Sequence, residues 1–348
     1  MSRSVVVAVV LLALAVGARG ATAQSIPKLA TPVTVKVGTV GALSHAGIYV
    51  ANARGYFKES GITTELVVVA TIDQMTAPLA TGQLDLGTLA SGAGFFNAIA
   101  RDVKLRVVAD QNTQFPGRAQ FALLVRKDLV DSGKFKTYAD LKGLTFGLGS
   151  PRAVLELNML KIVKEGGLAP GDVKTVIIPF TNINAAFAGK TIDAAFQIEP
   201  FTTAAVEGHM AVRFKGLDEI TPYESAGFLV MSEAFAAKTE AAQAWMVGYL
   251  RGVRDYMDAV DKGRGKDEII KILMENTRIK DRTVYDKMVM PAFHPNGEID
   301  PESIRRAYRE YRRLGYVTVE LDPDKVYDPS FIRYATKLLG PYPHRYPY

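Results

Sequence analysis

Cysteine is absent from the 348 residues, which excludes disulfides, thiolate metal sites and a lipid carried on an N-terminal cysteine. Histidine is scarce. His45, His209, His294 and His344 show no metal-ligand spacing, and zinc needs three or four close N, S or O ligands. Neither a metal nor a cofactor is expected. The chain has no G-x-S-x-G elbow, no P-loop and no complete G-x-G-x-x-G, since Gly92-Ala93-Gly94 runs into Phe95 and Phe96. No catalytic constellation is visible. Past residue 24 no apolar run reaches the roughly 20 residues that span a bilayer, so the mature chain is expected to be soluble.

Charge is also modest. The net charge of +6 includes Arg3 and Arg19 near the N-terminus. The densest basic run, Arg305-Arg306-Ala307-Tyr308-Arg309-Glu310-Tyr311-Arg312-Arg313, is broken by acidic and aromatic residues at helical spacing. That pattern reads as a solvated helix face, and no nucleic-acid partner is expected. The first residues have their own logic. Ser2-Arg3-Ser4 is a short positive start, Val5 to Val16 an apolar run, and Ala21-Thr22-Ala23 a small-x-small signal. Residues 1–23 thus read as a signal peptide cleaved before Gln24, which places the mature protein in the periplasm or outside the cytoplasm.

With 48% hydrophobic and 22% charged residues, the chain can bury the cores of two compact lobes. Its organising stretch runs from Gln83 to Phe96, where an apolar run ends in small residues and restarts with helical spacing. This reads as a buried strand feeding a helix, with Ser91 as N-cap and Gly92 and Gly94 leaving first-turn N–H groups open to a bound group. The grammar recurs. Leu79-Ala80-Thr81-Gly82-Gln83-Leu84-Asp85 is echoed by Phe187-Ala188-Gly189-Lys190-Thr191-Ile192-Asp193, and the second copy continues to Glu199-Pro200, with proline suited to the first helical position.

Strands are expected at Val33–Gly38, Ile62–Val69, Leu84–Leu89 and Leu105–Ala109, with helices between them. This repeated βα pattern implies a parallel sheet with its ligand at the strand carboxyl ends. Gln120–Val125 interrupts the pattern after a short turn-rich loop. A second βα series follows: a capping box at Thr137-Tyr138-Ala139-Asp140, strands at Leu144–Leu148, Val173–Ile178 and Ile192–Gln197, and helices over 151–164 and 183–188. After a strand at Gly227–Met231 the chain is helical, with Trp245 and Tyr249 on the apolar face of a long helix and proline-marked starts at Asp300-Pro301 and Asp328-Pro329. The tail from Gly340 to Tyr348 has no period and is expected to be loose.

An exported chain with two βα lobes resembles the periplasmic solute-binding proteins of ABC importers. The motifs are similar to those of the nitrate/sulfonate/taurine group, which includes binders of thiamine pyrimidine precursors. The carrying residues are Gly55-Tyr56-Phe57 with Gly61-Ile62, Ala80 to Gly87, Val125-Arg126-Lys127-Asp128, Leu141-Lys142-Gly143-Leu144-Thr145, Glu199-Pro200-Phe201 and Tyr249-Leu250-Arg251-Gly252. The resemblance implies an α/β, two-lobed periplasmic-binding-protein fold of type II. Each lobe would be a parallel βα sheet with crossover strands, followed by a helical C-terminal third. Lobe one would comprise residues 33–120 and 226–348, and lobe two residues 121–225. It also implies a monomer that closes on a small-molecule ligand and delivers it to a membrane permease. Relatives that act as pyrimidine synthases use a lysine-bound pyridoxal phosphate and a cysteine-rich motif, and the lack of cysteine leaves that chemistry unsupported here.

Twelve residues are candidate ligand contacts: Thr39, Ser44, His45, Gln74, Ser91, Gly92, Gln111, Ser150, Arg152, Asn182, Gln197 and Glu199. Small polar groups, one guanidinium and nearby aromatics (Phe95, Phe180, Phe228) suit a small anion with an apolar part: a sulfonate, nitrate, a taurine-like molecule or a carboxylate. The alternatives are a thiamine pyrimidine precursor, an exported enzyme using Glu199 as base, or a sensor docking on a membrane receptor. His45 either meets the ligand or is a surface or helix-capping residue. Glu199 either meets the ligand or caps its own. Arg152 either clamps an anion bidentately or points to solvent.

Overall fold

The computed structural model describes residues 26–347, so the expected leader and its cleavage point lie outside the described residues. The strands are β1 (Val33–Thr39), β2 (Ile62–Val68), β3 (Leu86–Ala90), β4 (Leu105–Asp110), β5 (Phe121–Arg126), β6 (Thr145–Leu148), β7 (Lys174–Ile177), β8 (Ala194–Ile198), β9 (Ala211–Gly216) and β10 (Gly227–Ser232). They form two five-stranded sheets in the orders β2-β1-β3-β10-β4 and β7-β6-β8-β5-β9. The two orders are equivalent position by position. In each sheet three neighbouring strands are parallel and the next is antiparallel to both of its partners. The antiparallel strands are β5 and β10, which begin just after the chain has crossed from one sheet to the other. Each sheet is therefore mixed, because the incoming strand arrives from the opposite direction.

The sequence echo has a structural meaning. Asp85 N–H donates to Lys36 O (2.9 Å) while Lys36 N–H donates to Asp85 Oδ2 (2.8 Å). Asp193 and Thr145 repeat the pair at 2.8 and 2.9 Å. The two aspartate carbonyls then accept from the crossover strands, at Ser232 N–H (2.9 Å) and Arg126 N–H (2.8 Å). Each aspartate thus ties together three strands at the end remote from the carboxyl termini of the parallel strands.

Several boundaries differ from expectation. The helix Ala93–Ala100 is capped by Gly92 and not by Ser91, because Gly92 takes the extended backbone (φ −141°, ψ 162°) that leads into it. Pro200 is the N-cap of helix Phe201–Glu207 and not its first residue. Pro329 likewise precedes helix Ser330–Leu339, with Asp328 accepting from Ser330 N–H at 3.0 Å. The helix expected from Pro151 begins at Val154, because Arg152 has φ +51° and Ala153 is extended. The edge strand β9 was not expected, since its exposed Arg213 and half-buried Phe214 and Lys215 blur the alternation. The tail is also not loose. Tyr346 packs at a tilt on Phe115 (centroids 4.6 Å apart) and donates to Asp261 Oδ1 (2.9 Å), while Tyr342 bonds Asp258. These contacts pin the tail to the first crossover and to the end of the helix Thr239–Lys262.

The core of the first sheet's lobe is built around the helix Thr239–Lys262. Its fully buried Trp245 lies between Phe57 and Tyr249, at centroid separations of 5.0 and 5.6 Å. Gly252 meets helix Ala46–Ala53 so closely that a Cβ there would stand 2.2 Å from Gly47 O. This contact fixes the helix that leaves the end of β1. Among the described residues no helix is long and apolar enough to cross a membrane.

Candidate functional site

The carboxyl ends of both parallel sets meet along one line, where the two lobes are bonded to each other directly. Gly92 and Ala153 form an antiparallel bridge. Ala93 N–H donates to Arg152 O at 2.9 Å, and Val154 N–H donates to Ser91 O at 3.1 Å. These are the first N–H groups of two helices, so the donors expected to face an anion are spent between the lobes. Nearby, Leu43 N–H reaches Glu199 O at 3.3 Å. Apolar side chains close the rest. Phe121 packs on Phe180 (5.8 Å) and Phe95 on Phe228 (5.9 Å).

Between the lobes a void of about 20 Å³ remains, lined by Ile72, Ala90, Asn112, Phe121, Ser150, Ala153, Val154, Leu155, Phe180 and Ala226. That space suits a water molecule and not an organic ligand. Room for an organic molecule at this point requires the lobes to part. No charged side chain lines the void.

Around it, buried polar groups are under-satisfied. Among the described residues, Ser91 Oγ, Gln111 Nε2, Asn112 Oδ1, Gln120 Oε1 and Ser225 Oγ have no hydrogen-bond partner, although a buried polar group left unpaired costs about 1–3 kcal/mol. All five lie at a strand end or in a crossover. Asn112, Gln120 and Ser225 were missed in the sequence reading. Their signal was there: Asp110-Gln111-Asn112-Thr113-Gln114 is an unbroken polar run after an apolar strand, and it is buried throughout. Its side chains fold the crossover onto itself. Gln114 Oε1 accepts from Gln120 N–H (3.1 Å) and Phe121 N–H (3.2 Å), and Asp110 Oδ1 accepts from Thr113 Oγ1 (2.7 Å). Burial raises the Asp110 carboxyl to about 6.

The expected contacts scatter. Ser91, Gly92, Gln111 and Ser150 come to the cleft. Ser44 and His45 are buried beneath it. His45 Nδ1 is 3.0 Å from Ser44 Oγ and Nε2 is 2.9 Å from Thr88 Oγ1, which donates on to Gln111 Oε1. Desolvation lowers this histidine to about 4, so it stays neutral and relays hydrogen bonds to Gln111. It makes no side-chain cap to the next helix. Thr39 is occupied by Tyr49 OH (2.6 Å) and Gly41 N–H (3.1 Å). Gln197 spends its amide on Phe180 O, Asn184 Oδ1 and Ile198 N–H. Three others lie outside. Gln74 is exposed and caps its own turn through Ala70 and Thr71 N–H, and Asn182 is exposed. Arg152 is turned out by its left-handed backbone, with its guanidinium 5.3 Å from the centre of the Tyr316 ring.

Glu199 takes the cap role. Its carboxylate accepts from Thr203 N–H (3.1 Å) and Thr203 Oγ1 (2.9 Å) and lines a separate pocket of about 170 Å³ with Arg213 and Lys287. Burial raises its carboxyl from 4.5 to about 7. In the unfolded chain the group ionises near 4.5, so between these values folding takes up a proton and stability declines as pH rises. Glu199→Gln is therefore expected to match the native protein near pH 4.5 and to exceed its stability above pH 7, by about 3 kcal/mol. Urea midpoints at pH 5 and 8 check this, and a difference independent of pH would contradict it.

The architecture is that of two-lobed periplasmic binding proteins. The nitrate-binding protein NrtA of Synechocystis PCC 6803 superposes with a TM-score of 0.71, 14% identity, and coverage of 88% of this chain and 89% of that one. The alkanesulfonate-binding SsuA of Xanthomonas axonopodis pv. citri, bound to MOPS, gives 0.66, 16%, 88% and 99%. A ligand-binding component of an ABC-type import system from Staphylococcus aureus, with zinc bound, gives 0.71, 14%, 87% and 98%. Comparison with curated protein sequences gives no match. The NMT1/THI5-like family model matches residues 42–261, and the chain belongs to that family.

Proposed function

We propose that this protein is the extracytoplasmic solute-binding component of an ABC-type importer. Residues 33–120 with 226–348 would form one lobe and residues 121–225 the other, closing over a small molecule and presenting it to a membrane permease. The carrying observation is the group of unpartnered buried polar atoms at the strand carboxyl ends, Ser91 Oγ, Gln111 Nε2 and Asn112 Oδ1 among them. Such atoms are costly when nothing pairs with them, and a ligand that supplies the partners recovers that cost only in the closed state. With Phe121 and Phe180 as walls and no charged lining, the cleft favours an uncharged ring with hydrogen-bonding edges, of the pyrimidine type. The anion reading survives as a second one on a specific observation: Arg152 has no ion-pair partner among the described residues and lines a groove of about 410 Å³ with the helix start at Gly92–Phe95. An enzymatic role for Glu199 is disfavoured by its bonds to the helix start.

Thermal-shift screening of pyrimidines, sulfonates, nitrate and carboxylates tests these readings, since a ligand at 100 times its Kd adds about 2.7 kcal/mol of stability. Stabilisation by a pyrimidine that is lost in Asn112→Leu and kept in Arg152→Ala is the expected result. The reverse pattern selects the anion. Conversion of the bound compound by the purified protein would overturn a binding-only role.

A further inference from the structure

On the far side of the helix Val154–Glu165 from the cleft lies a cavity of about 340 Å³, walled by that helix and by the helix Pro301–Arg313. Its floor is the second crossover, at Thr221 and Glu224. The floor holds an ion pair that is not a hydrogen bond. Arg306 Nη2 stands 3.7 Å from Glu224 Oε2. The Nε and Nη2 of this guanidinium are buried without a hydrogen-bond partner, and the Glu224 carboxylate, on a residue 6% exposed, accepts no hydrogen bond. The guanidinium and the carboxylate thus face each other at ion-pair distance without closing a hydrogen bond, the Arg306 side chain being 39% exposed and two of its nitrogens unsatisfied among the described residues. The other buried polar group of the wall is satisfied, since Asn158 bonds Val154 O (2.9 Å) and Thr221 Oγ1 (2.6 Å).

The remaining lining is apolar above this floor and basic at the rim. Leu157, Leu160, Ala307 and Leu314 supply the apolar part. At the rim, Lys161 is paired with Glu165 and Arg313 with Glu310 (2.9 Å), while Lys164 has no carboxylate of the described residues within ion-pair distance. A ligand complementary to this arrangement carries an anion and a cation close together on an aliphatic body.

We propose that the cavity is a second ligand site, taking a small zwitterion with an apolar side chain, of the branched-chain α-amino acid class. The carboxylate lies on the accessible part of the Arg306 guanidinium with Lys164 nearby, the ammonium on Glu224, and the side chain against Leu157, Leu160 and Leu314. Burial raises the Glu224 carboxyl to about 7, and an ammonium set against it favours the ionised form. Because the walls come from both lobes and the floor from a crossover, occupancy favours the lobe arrangement that keeps both walls in reach.

Calorimetry on the full chain with leucine tests the site. Saturable binding is expected, weakened at least tenfold by Arg306→Gln and by Glu224→Gln. It should be absent for 3-methylbutylamine, which lacks the carboxylate, and for 4-methylpentanoate, which lacks the ammonium. Lys164→Gln, on the exposed rim, gives a weakened variant if the floor substitutions disturb folding, and melting temperatures report that disturbance. Leucine binding that persists in Asn112→Leu separates this site from the cleft, whatever becomes of the cleft reading. No heat with leucine, isoleucine or valine at millimolar concentration overturns the proposal, as does affinity unchanged in Arg306→Gln, or lost in Asn112→Leu.

Discussion

With Ala93 and Val154 both replaced by proline, the two lobes are expected to separate while each stays folded. Both residues are the first of their helices, Ala93–Ala100 and Val154–Glu165. Proline is tolerated at that position because its missing N–H has no partner within the helix. The preceding residues, Gly92 (φ −141°, ψ 162°) and Ala153 (φ −109°, ψ 174°), are already extended, as a residue before proline must be. What proline removes is the pair of N–H groups that bond Arg152 O and Ser91 O across the cleft, and its Cδ takes the place the acceptor oxygens now approach. Two backbone hydrogen bonds contribute about 1–3 kcal/mol together, so the ratio of closed to open protein should fall by roughly five- to a hundred-and-fiftyfold. Small-angle scattering should show an expanded particle, and ligand affinity should fall with closure. Val154→Ala keeps the donor and serves as the control. A scattering curve identical to that of the native protein would show that the bridge does not hold the lobes together.

The features legible in the sequence were those carried by local pattern. The alternation of Val33–Val37 gave β1, the capping box at Thr137 and Asp140 is present in the structure, and the aspartate echo at Asp85 and Asp193 marked equivalent strands. Site contacts were legible only where backbone and side chain face the same way. Ser91, Gly92 and Ser150 sit at strand ends and reach the cleft. Arg152 follows a strand end just as closely, yet one left-handed residue turns its side chain outward, and no periodicity reports a single φ. Gln197 was read as a contact because it is polar in an apolar strand, but three internal hydrogen bonds consume it. Asn112 was passed over because a polar, turn-rich segment looks solvated, and Gln120 because it opens an expected strand. Only the pairing of the crossovers, seen in the bridge between Thr113 and Ser225, buries them. The tail failed for the same reason. Its tyrosines have no period, and their partners Phe115, Asp258 and Asp261 lie far away in the chain.

Trp245→Ala is expected to cost about 3–5 kcal/mol, the range for removing a large buried aromatic. The indole is fully buried and stacked nearly parallel to both neighbours, at 13° to Phe57 and 9° to Tyr249. Helix backbone on one side and a packed cluster on the other leave little room for collapse, which puts the cost in the upper part of that range. The indole N–H adds nothing, since Nε1 is buried without a partner. Trp245→Phe should therefore cost much less than the alanine variant, because it keeps a stacked ring and removes an unsatisfied donor. The site should feel the alanine variant too. Tyr249, which stacks on Trp245, donates its hydroxyl to Asp110 O at 3.1 Å, and Asp110 ends β4 just before Gln111 and Asn112. A loosened Tyr249 no longer holds that strand end in place, so binding in the cleft should weaken along with stability. Urea denaturation of the two variants, followed by titration with whichever ligand the thermal-shift screen selects, measures both effects. Equal losses of stability in Trp245→Phe and Trp245→Ala would assign the energy to the N–H and not to the ring. Native affinity in a destabilised Trp245→Ala would show that Asp110 is held without Tyr249.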